Sequence, residues 1–215
     1  MDTVIVLLSV FAVFIPALIL PGPDFVGVVR MSVTHGTRAG LVTTLGVTLG
    51  LGTYASLSLI GLSAILIQYQ WLAWLVRILG GAYLIYLGVQ LLRTSSAPIG
   101  TRGDLEHGNA PISRTQALRF GYLVTLTNPK AVVLFASVFA TAVTPQTPIW
   151  LMAVMIGLVM LAAFVWYSVV SLFMSSAPVV RRFERARQWV ERFAGVCFVA
   201  FGGKVMSDAR NPVGV

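Results

Sequence analysis

Long runs of apolar residues, separated by short polar stretches, dominate the chain. A helix of about 20 apolar residues is long enough to cross the hydrocarbon core of a bilayer. The hydropathy pattern predicts six such segments, at residues 3–34, 39–67, 71–92, 116–143, 148–176 and 188–207. We therefore predict an all-α integral membrane protein with six transmembrane helices.

The first and fourth apolar segments are too long for one straight span, and each contains a helix-breaking sequence. Pro21-Gly22-Pro23-Asp24 interrupts the first segment and Asn128-Pro129-Lys130 interrupts the fourth. Each proline lacks a backbone donor and clashes with the preceding turn. Because freed carbonyl groups and charges at membrane depth survive only inside protein or beside a hydrated cavity, they indicate a functional site. We predict two half-helices in each segment, meeting near the midplane.

Composition and charge placement support a membrane protein. Hydrophobic residues make up 57% of the chain and charged residues 10%, far below the roughly 25% charged of soluble domains. The net charge of +8 falls mainly in loops one, three and five, which indicates membrane topology rather than nucleic-acid binding. The densest group follows the fifth segment, at Arg181, Arg182, Arg185 and Arg187. By the positive-inside rule, these three loops are cytoplasmic and both termini lie outside.

A faint internal repeat relates the two halves of the chain. Residues 76–90 align with residues 190–204, so that Gly81 matches Gly195 and Gly88 matches Gly202. Pro23-Asp24 likewise corresponds to Pro129-Lys130. Three helices in each half give the halves opposite orientations in the membrane, and interrupted segments at corresponding positions mark a transporter's binding site. We predict an inverted repeat.

Three units follow from this repeat. Residues 1–93 form the first three-helix repeat, residues 94–115 a cytoplasmic linker, and residues 116–215 the second three-helix repeat. The linker contains prolines and glycines, which are typical of a loop. It also contains Asp104, Glu106 and His107, and in a solvated loop we interpret this group as ordinary polar surface rather than a metal site.

Each break has the residues that end one helix and begin another. Gly22 suits the position before a helix, and Pro23 suits the first helical position. Asp24 then falls in the first turn, where the positive end of the helix dipole stabilises a carboxylate. At the second break Asn128 is a good N-cap, Pro129 suits the first position, and Lys130 follows.

Lys130 lies at the end of a helix where a cation is unfavourable, so it needs a nearby anion. One hypothesis is that Asp24 and Lys130 pair with each other and that a zwitterionic substrate replaces this pairing. Its ammonium would then contact Asp24, and its carboxylate would contact Lys130 and the helix amides. The alternative is a permanent bridge that only holds the two halves together.

Other polar residues in the segments are weaker candidates. Thr125, Thr127 and Asn128 lead up to the second break and are predicted to contact substrate through hydroxyl and amide groups. Four residues of the second and fifth segments are candidates for a pathway, although they equally suit helix packing or bonding within their own helix: Thr44, Thr48, Ser168 and Ser171.

Several function classes are disfavoured by the residues present. The segments contain no carboxylate cluster, Ser/His/Asp set or His-rich motif, so we do not expect an enzyme. The single cysteine, Cys197, excludes a membrane thiol-disulfide carrier. A cation exporter stays open, because Asp24 with threonine and asparagine oxygens could bind a cation, but Lys130 counts against it.

At these residues the chain resembles the lysine-exporter superfamily of small bacterial amino-acid efflux proteins. The resemblance rests on Pro-Gly-Pro-Asp at 21–24, His-Gly-Thr-Arg-Ala-Gly at 35–40, Gly-Gly-Ala-Tyr-Leu at 80–84 and Thr-Asn-Pro-Lys-Ala at 127–131. Residues 21–25, 137–139 and 193–195 are similar to its threonine and homoserine efflux branch. The resemblance implies export of a neutral amino acid from the bacterial cytoplasm across the inner membrane, in exchange for protons.

A physical form of the proton coupling follows from Asp24. This carboxylate would bind a proton from outside and release it when the ammonium group of the amino acid displaces it. The expected partners are thus an amino acid, protons and the lipid bilayer, with no cofactor and no metal. Because glycine-rich helix faces serve packing within a chain and between chains alike, a homo-oligomer stays open.

Overall fold

The described structure is entirely helical. The computed structural model describes residues 3–68, 70–93, 112–142, 147–173 and 177–208. Every element of regular structure in these ranges is an α-helix: α1 Thr3–Ile19, α2 Pro23–His35, α3 Thr37–Gln68, α4 Gln70–Arg93, α5 Arg114–Leu126, α6 Pro129–Ala142, α7 Ile149–Phe173 and α8 Ala177–Asp208. The predicted all-α class is therefore confirmed for the described part of the chain.

Both predicted helix breaks are present. The first apolar segment is divided into α1 and α2, which meet at an angle of 45°. The fourth is divided into α5 and α6, which are separated by residues 127–128. Most of the predicted linker, residues 94–111 with Asp104, Glu106 and His107, lies outside the described residues.

Some of the helices meet the requirements of a membrane span. Among the described residues, two single helices are long and apolar enough, α7 and the portion of α3 from Thr37 to Gly61. The bent pair of α1 and α2 qualifies as a third span. The other spans of the predicted set of six stay a prediction.

One boundary differs from the sequence-based expectation. The arginine-rich residues 177–187, predicted as a loop before the sixth span, form the first turns of α8 instead. Arginine, alanine and glutamate are good helix formers, and a proline is tolerated in the first turn. A helix of 32 residues is about 48 Å long at 1.5 Å per residue, whereas the hydrocarbon core is about 30 Å thick. α8 is therefore longer than one membrane span requires.

Apolar side chains fill the interior and also cover much of the outside. Phe135 of α6 packs against Phe14 of α1 at a ring separation of 5.8 Å and against Tyr54 of α3 at 6.2 Å. Large apolar residues such as Leu8 and Leu57 are mostly exposed. Since soluble monomers rarely expose so many large apolar side chains, this outer surface is suited to lipid.

α4 and α8 cross through two reciprocal pairs of glycines. A Cβ atom added at Gly81 would lie 2.9 Å from the carbonyl oxygen of Gly202, and one added at Gly202 would lie 2.6 Å from that of Gly81. Gly88 and Gly195 approach each other in the same way, at 2.6 and 2.9 Å. In the predicted repeat, Gly81 matches Gly195 and Gly88 matches Gly202. Exchanging each glycine for its match therefore turns the Gly81–Gly202 contact into the Gly195–Gly88 contact. Elements related by a two-fold axis pack in this reciprocal pattern.

Candidate functional site

The first break is built as the sequence predicts. The last backbone bond of α1 runs from the N–H of Leu20 to the carbonyl of Pro16, at 3.1 Å. Gly22 has an extended backbone and is the N-cap of α2, with Pro23 in the first turn. Asp24 follows in this turn and is only 6% exposed. The carboxylate is thus buried at the favourable end of the α2 dipole.

The second break uses side chains to satisfy the backbone of both half-helices. The hydroxyl of Thr127 donates to the carbonyls of Leu123 and Val124, at 2.9 and 3.2 Å. The hydroxyl of Tyr54 donates to the carbonyl of Leu126 at 2.6 Å. The Leu123 carbonyl also accepts from the N–H of Thr127 at 2.9 Å, so the side chains mainly serve the carbonyls of Val124 and Leu126, at the end of α5 where helical partners run out.

The start of α6 has the predicted cap. The side-chain oxygen of Asn128 accepts a hydrogen bond from the N–H of Lys130 at 3.1 Å, as an N-cap residue does. The helix itself begins at Pro129. This cap fixes the orientation of the Asn128 amide, because its oxygen is committed to α6 and its NH₂ group points elsewhere.

The two breaks hold each other's charged residues. One carboxylate oxygen of Asp24 accepts from the hydroxyl of Thr125 at 3.0 Å, and the other accepts from the NH₂ group of Asn128 at 2.9 Å. In return, the ammonium of Lys130 donates to the carbonyl of Ala17 at 2.7 Å and to that of Leu20 at 3.4 Å. The first break thus supplies acceptors for the cation of the second, and the second supplies donors for the anion of the first.

This arrangement corrects the expectation of a direct bridge. Among the described residues, the polar contacts of Asp24 and Lys130 are with neutral groups rather than with each other. Lys130 lies in the first turn of α6, where the dipole repels a cation, but its long side chain reaches carbonyls at the end of α1. A cation is favourable at the C-terminal end of a helix, so α1 provides the partial negative charge that Asp24 was expected to provide.

A small cavity joins the two breaks. It is lined by Gly22, Asp24, Asn128 and Lys130 of the two breaks and by apolar side chains of α1, α3 and α6. Its volume is about 20 Å³, which is room for about one water molecule. Of the predicted contact residues, Thr125 is buried against Asp24, whereas Pro23 and Thr127 are exposed and lie outside the lining.

Tyr167 of α7 also lines the cavity and was missed by sequence reasoning. It is 3% exposed and lines the same cavity as Asp24. Its backbone carbonyl accepts a hydrogen bond from the Thr44 hydroxyl at 3.2 Å. The only signal in the sequence is a polar ring within an otherwise apolar segment, which does not reveal which way the ring faces.

The four predicted pathway residues lie on α3 and α7, which pack together. Thr44 bonds to the carbonyls of Gly40 and Tyr167. Ser171 accepts from Ser32 of α2 at 3.0 Å and donates to the carbonyl of Thr37 at 3.2 Å. The buried hydroxyls of Thr48 and Ser168 have no hydrogen-bond partner in the described ranges. Thr44 and Ser171 therefore bond α7 to α3 and α2, and a pathway through these residues stays a prediction.

Comparison with known proteins identifies the family of the chain. The family model described as LysE type translocator matches residues 15–209. The chain is 31% identical over 195 residues to the threonine efflux protein of Escherichia coli strain K12, covering 91% of this chain and 94% of that protein. It is 33% identical over 132 residues to the homoserine/homoserine lactone efflux protein of Salmonella typhi, covering 60% of each. No solved structure matches the chain.

Proposed function

The chain belongs to the LysE type translocator family, and from this we propose that it exports a small neutral amino acid of the threonine or homoserine type. Export would run from the cytoplasm across the bacterial inner membrane, in exchange for protons. Relatives named threonine efflux protein, which match nine tenths of the chain, support the choice of substrate. The observation that carries the proposal is a cavity lined by one carboxylate and one ammonium group.

A neutral amino acid is itself an anion and a cation, so it matches this pair of groups. Each oxygen of Asp24 accepts one hydrogen bond from the second break and keeps lone pairs for the substrate's ammonium. Lys130 donates to backbone carbonyls, and a substrate carboxylate is a stronger acceptor because its bonds are charge-assisted. We therefore expect Lys130 to exchange Ala17 for the substrate.

Binding requires the site to open. A cavity of about 20 Å³ is smaller than an amino acid, so the groups around it must separate before substrate enters. The contacts between Lys130 and the end of α1 join α1 to α6 across the site. Their exchange for substrate contacts would loosen this connection, and this links binding to the movement that alternating access needs.

Proton coupling is assigned to Asp24. In the inward-facing protein the substrate's ammonium would displace its proton, and in the outward-facing protein a proton would replace the departing substrate. The proton and the substrate's ammonium would bind the same carboxylate. The protein would therefore change between its inward-facing and outward-facing conformations only with one of them bound. This competition for one anion is the simplest source of exchange.

We propose six spans arranged as an inverted repeat, with both termini outside. Residues 1–93 and 116–215 would be the two repeats, joined by a cytoplasmic linker at residues 94–115. The reciprocal glycine pairs between α4 and α8 support this arrangement, as does the matching position of Asp24 and Lys130 after each break. Inverted repeats place substrate sites at their interface, near the midplane.

Export of a cation is the alternative function. It would use Asp24 and the nearby oxygens, but the ammonium of Lys130 lines the same cavity and repels a metal cation. Family membership also favours transport over an enzymatic activity.

The test uses the full chain in proteoliposomes loaded with radiolabelled threonine. We expect faster threonine efflux under an inward proton gradient than after the gradient is collapsed with an ionophore. Vesicles loaded with a labelled divalent cation serve as the comparison and should show no gradient-driven efflux. Efflux of threonine that ignores the gradient would contradict proton exchange, and efflux of the cation alone would favour the alternative.

A further inference from the structure

The cavity has one polar side chain whose role the two breaks do not explain. Asp24, Asn128 and Lys130 all have hydrogen-bond partners from the opposite break. Tyr167 enters from α7, and within the described part of the chain its hydroxyl makes no hydrogen bond. A buried tyrosine hydroxyl normally has a partner, so this group is available to a ligand.

The position of Tyr167 is fixed by its own backbone. Thr44 of α3 donates to its carbonyl at 3.2 Å, which sets the height of this turn of α7 relative to α3. Because the residue is only 3% exposed, the ring has little freedom to leave the cavity. A donor and acceptor held in this way is suited to recognition of one particular polar group.

Among the residues that the structure describes, the cavity lining offers no polar side chain to a substrate apart from Tyr167 and the charged and amide groups. Beyond Asp24, Asn128, Lys130 and Tyr167, the lining consists of apolar side chains and small residues, among them Phe14, Leu51 and Phe135. An apolar lining distinguishes poorly between a methyl group and a hydroxyl group of the same size. A site that hydrogen-bonds a substrate hydroxyl, in contrast, rejects the analogue without it because a buried polar group is then left unpaired.

We propose that Tyr167 recognises the side-chain hydroxyl of the exported amino acid and is the residue that selects hydroxylated over apolar substrates. The inference rests on the proposed function, because it takes the amino and carboxyl groups of the substrate to lie at Asp24 and Lys130. The phenol then bonds to a β- or γ-hydroxyl. The substrate class is thus a small neutral hydroxy-amino acid.

The experiment compares Tyr167→Phe with the wild-type chain in efflux from proteoliposomes. Threonine and valine are the test pair, because they differ by a hydroxyl in place of a methyl group, and homoserine and norvaline are a second pair. We expect the wild-type protein to prefer the hydroxylated member in kcat/KM. Tyr167→Phe should reduce this preference roughly tenfold, through slower threonine export with valine export unchanged or faster.

Tyr54→Phe is the matched control. It also removes a tyrosine hydroxyl, here of a half-buried side chain, but that hydroxyl bonds the Leu126 carbonyl at 2.6 Å and lies outside the cavity lining. It should change the export of threonine and valine by the same factor. Valine export also reports folding, since a misfolded Tyr167→Phe protein would export neither amino acid.

The outcomes separate this inference from the proposed function. If wild-type protein exports threonine and Tyr167→Phe keeps the wild-type ratio of threonine to valine, the inference is wrong and the proposed function stands. An equal loss for both amino acids in Tyr167→Phe, including complete loss, would assign Tyr167 a structural or proton-relay role instead. If wild-type protein exports neither amino acid, both fail.

Discussion

At the first break a proline begins α2 and the next residue, Asp24, is an anion; at the second a proline begins α6 and the next residue, Lys130, is a cation. Their surroundings differ as much as their charges. Asp24 is held by two side chains in defined directions, whereas Lys130 donates to backbone carbonyls at the end of α1.

If the two residues bind substrate as proposed, this difference gives them different parts in transport. The short Asp24 side chain, bonded on both oxygens, is a fixed anchor. Lys130 has a flexible four-carbon stem, and its carbonyl partners are weaker than a carboxylate, so it can move to a substrate and back. We infer that the first break sets where the substrate's ammonium binds and that the second break responds to its carboxylate.

The largest expected effect comes from removing the movable charge. Lys130→Met keeps a long apolar stem but cannot bind the substrate carboxylate. Truncation of one partner of a buried charged pair costs about 2–5 kcal/mol, so kcat/KM for threonine efflux should fall by roughly 30-fold or more. Efflux from proteoliposomes containing equal amounts of folded protein measures this.

Lys204→Met is the control for Lys130→Met. It removes an ammonium from an exposed position of α8, outside the cavity lining, and should leave efflux within about twofold of the wild type. If Lys130→Met behaved like this control, Lys130 would only hold the halves together. The inference that Lys130 binds the substrate carboxylate would then be wrong.

Removal of the negative charge of Asp24 should affect proton coupling without affecting folding. In Asp24→Asn, the new carbonyl oxygen can accept from Asn128, and the new NH₂ group can donate to Thr125. The Thr125 hydroxyl is free to accept because its proton can go to the carbonyl of Gly121, which already lies at 3.2 Å. The fold should therefore tolerate the change, while the site can no longer exchange a proton for an ammonium group.

The expected result for Asp24→Asn is efflux about tenfold slower or more, since a charge-assisted hydrogen bond is worth roughly 1.5–3 kcal/mol. The residual rate should be the same with and without a proton gradient. The measurement is the ratio of threonine efflux with and without the gradient, alongside the thermal midpoint of the purified protein. A variant that kept the wild-type ratio would show that another group carries the proton.

The comparison of the two breaks also assumes that the two halves of the chain are related by a two-fold axis. The glycines of α4 and α8 can test this relation. A Cβ atom at Gly202 would meet the Gly81 carbonyl at 2.6 Å, whereas one at Gly203 has no neighbour within 4 Å. Gly202→Ala should cost about 1–3 kcal/mol by overpacking, which lowers the thermal midpoint by roughly 2–10 °C. The adjacent Gly203→Ala should be neutral or slightly stabilising.

Equal midpoints for these neighbouring variants would mean that α4 and α8 do not meet through this glycine pair. The two-fold relation would then lose its main structural support, and the similarity of the breaks would be one of sequence alone.

The two helix breaks could be predicted from the sequence because the residues that end and begin a helix act over a few positions. Prolines, a glycine and the N-cap Asn128 determine where helices end and begin over a few residues, and a charge beside them in an apolar run is conspicuous. For the same reason the positions of Asp24 and Lys130 were correct, although their mutual contact was not.

What holds these charges was not predictable, because it depends on packing between distant segments. The acceptors of Lys130 are backbone carbonyls, which every residue has, so nothing in the side chains of Ala17 and Leu20 marks them. Tyr167 reaches the cavity only because α7 packs on α3 at the height set by Thr44. The start of α8 was missed since charged residues were equated with a loop, whereas a helix can continue beyond the bilayer.

The smallest expected effect distinguishes the donors of the second break from its caps. Thr125 bonds to Asp24, but Thr127 is exposed and bonds to carbonyls of its own helix. Thr125→Val has nearly the same shape and leaves one carboxylate oxygen without this donor, at a cost of about 1–3 kcal/mol. Thr127→Val should cost within about 0.5 kcal/mol, as exposed substitutions usually do.

The thermal midpoint and the KM for threonine should therefore change together in Thr125→Val and stay near wild-type values in Thr127→Val. A fixed anchor predicts this coupling, because an Asp24 side chain that has lost one donor no longer holds a single orientation towards the substrate's ammonium. If Thr125→Val lowered stability but left KM unchanged, the carboxylate would bind substrate without needing a fixed orientation. The contrast between a rigid anion and a movable cation would then reduce to a difference of charge.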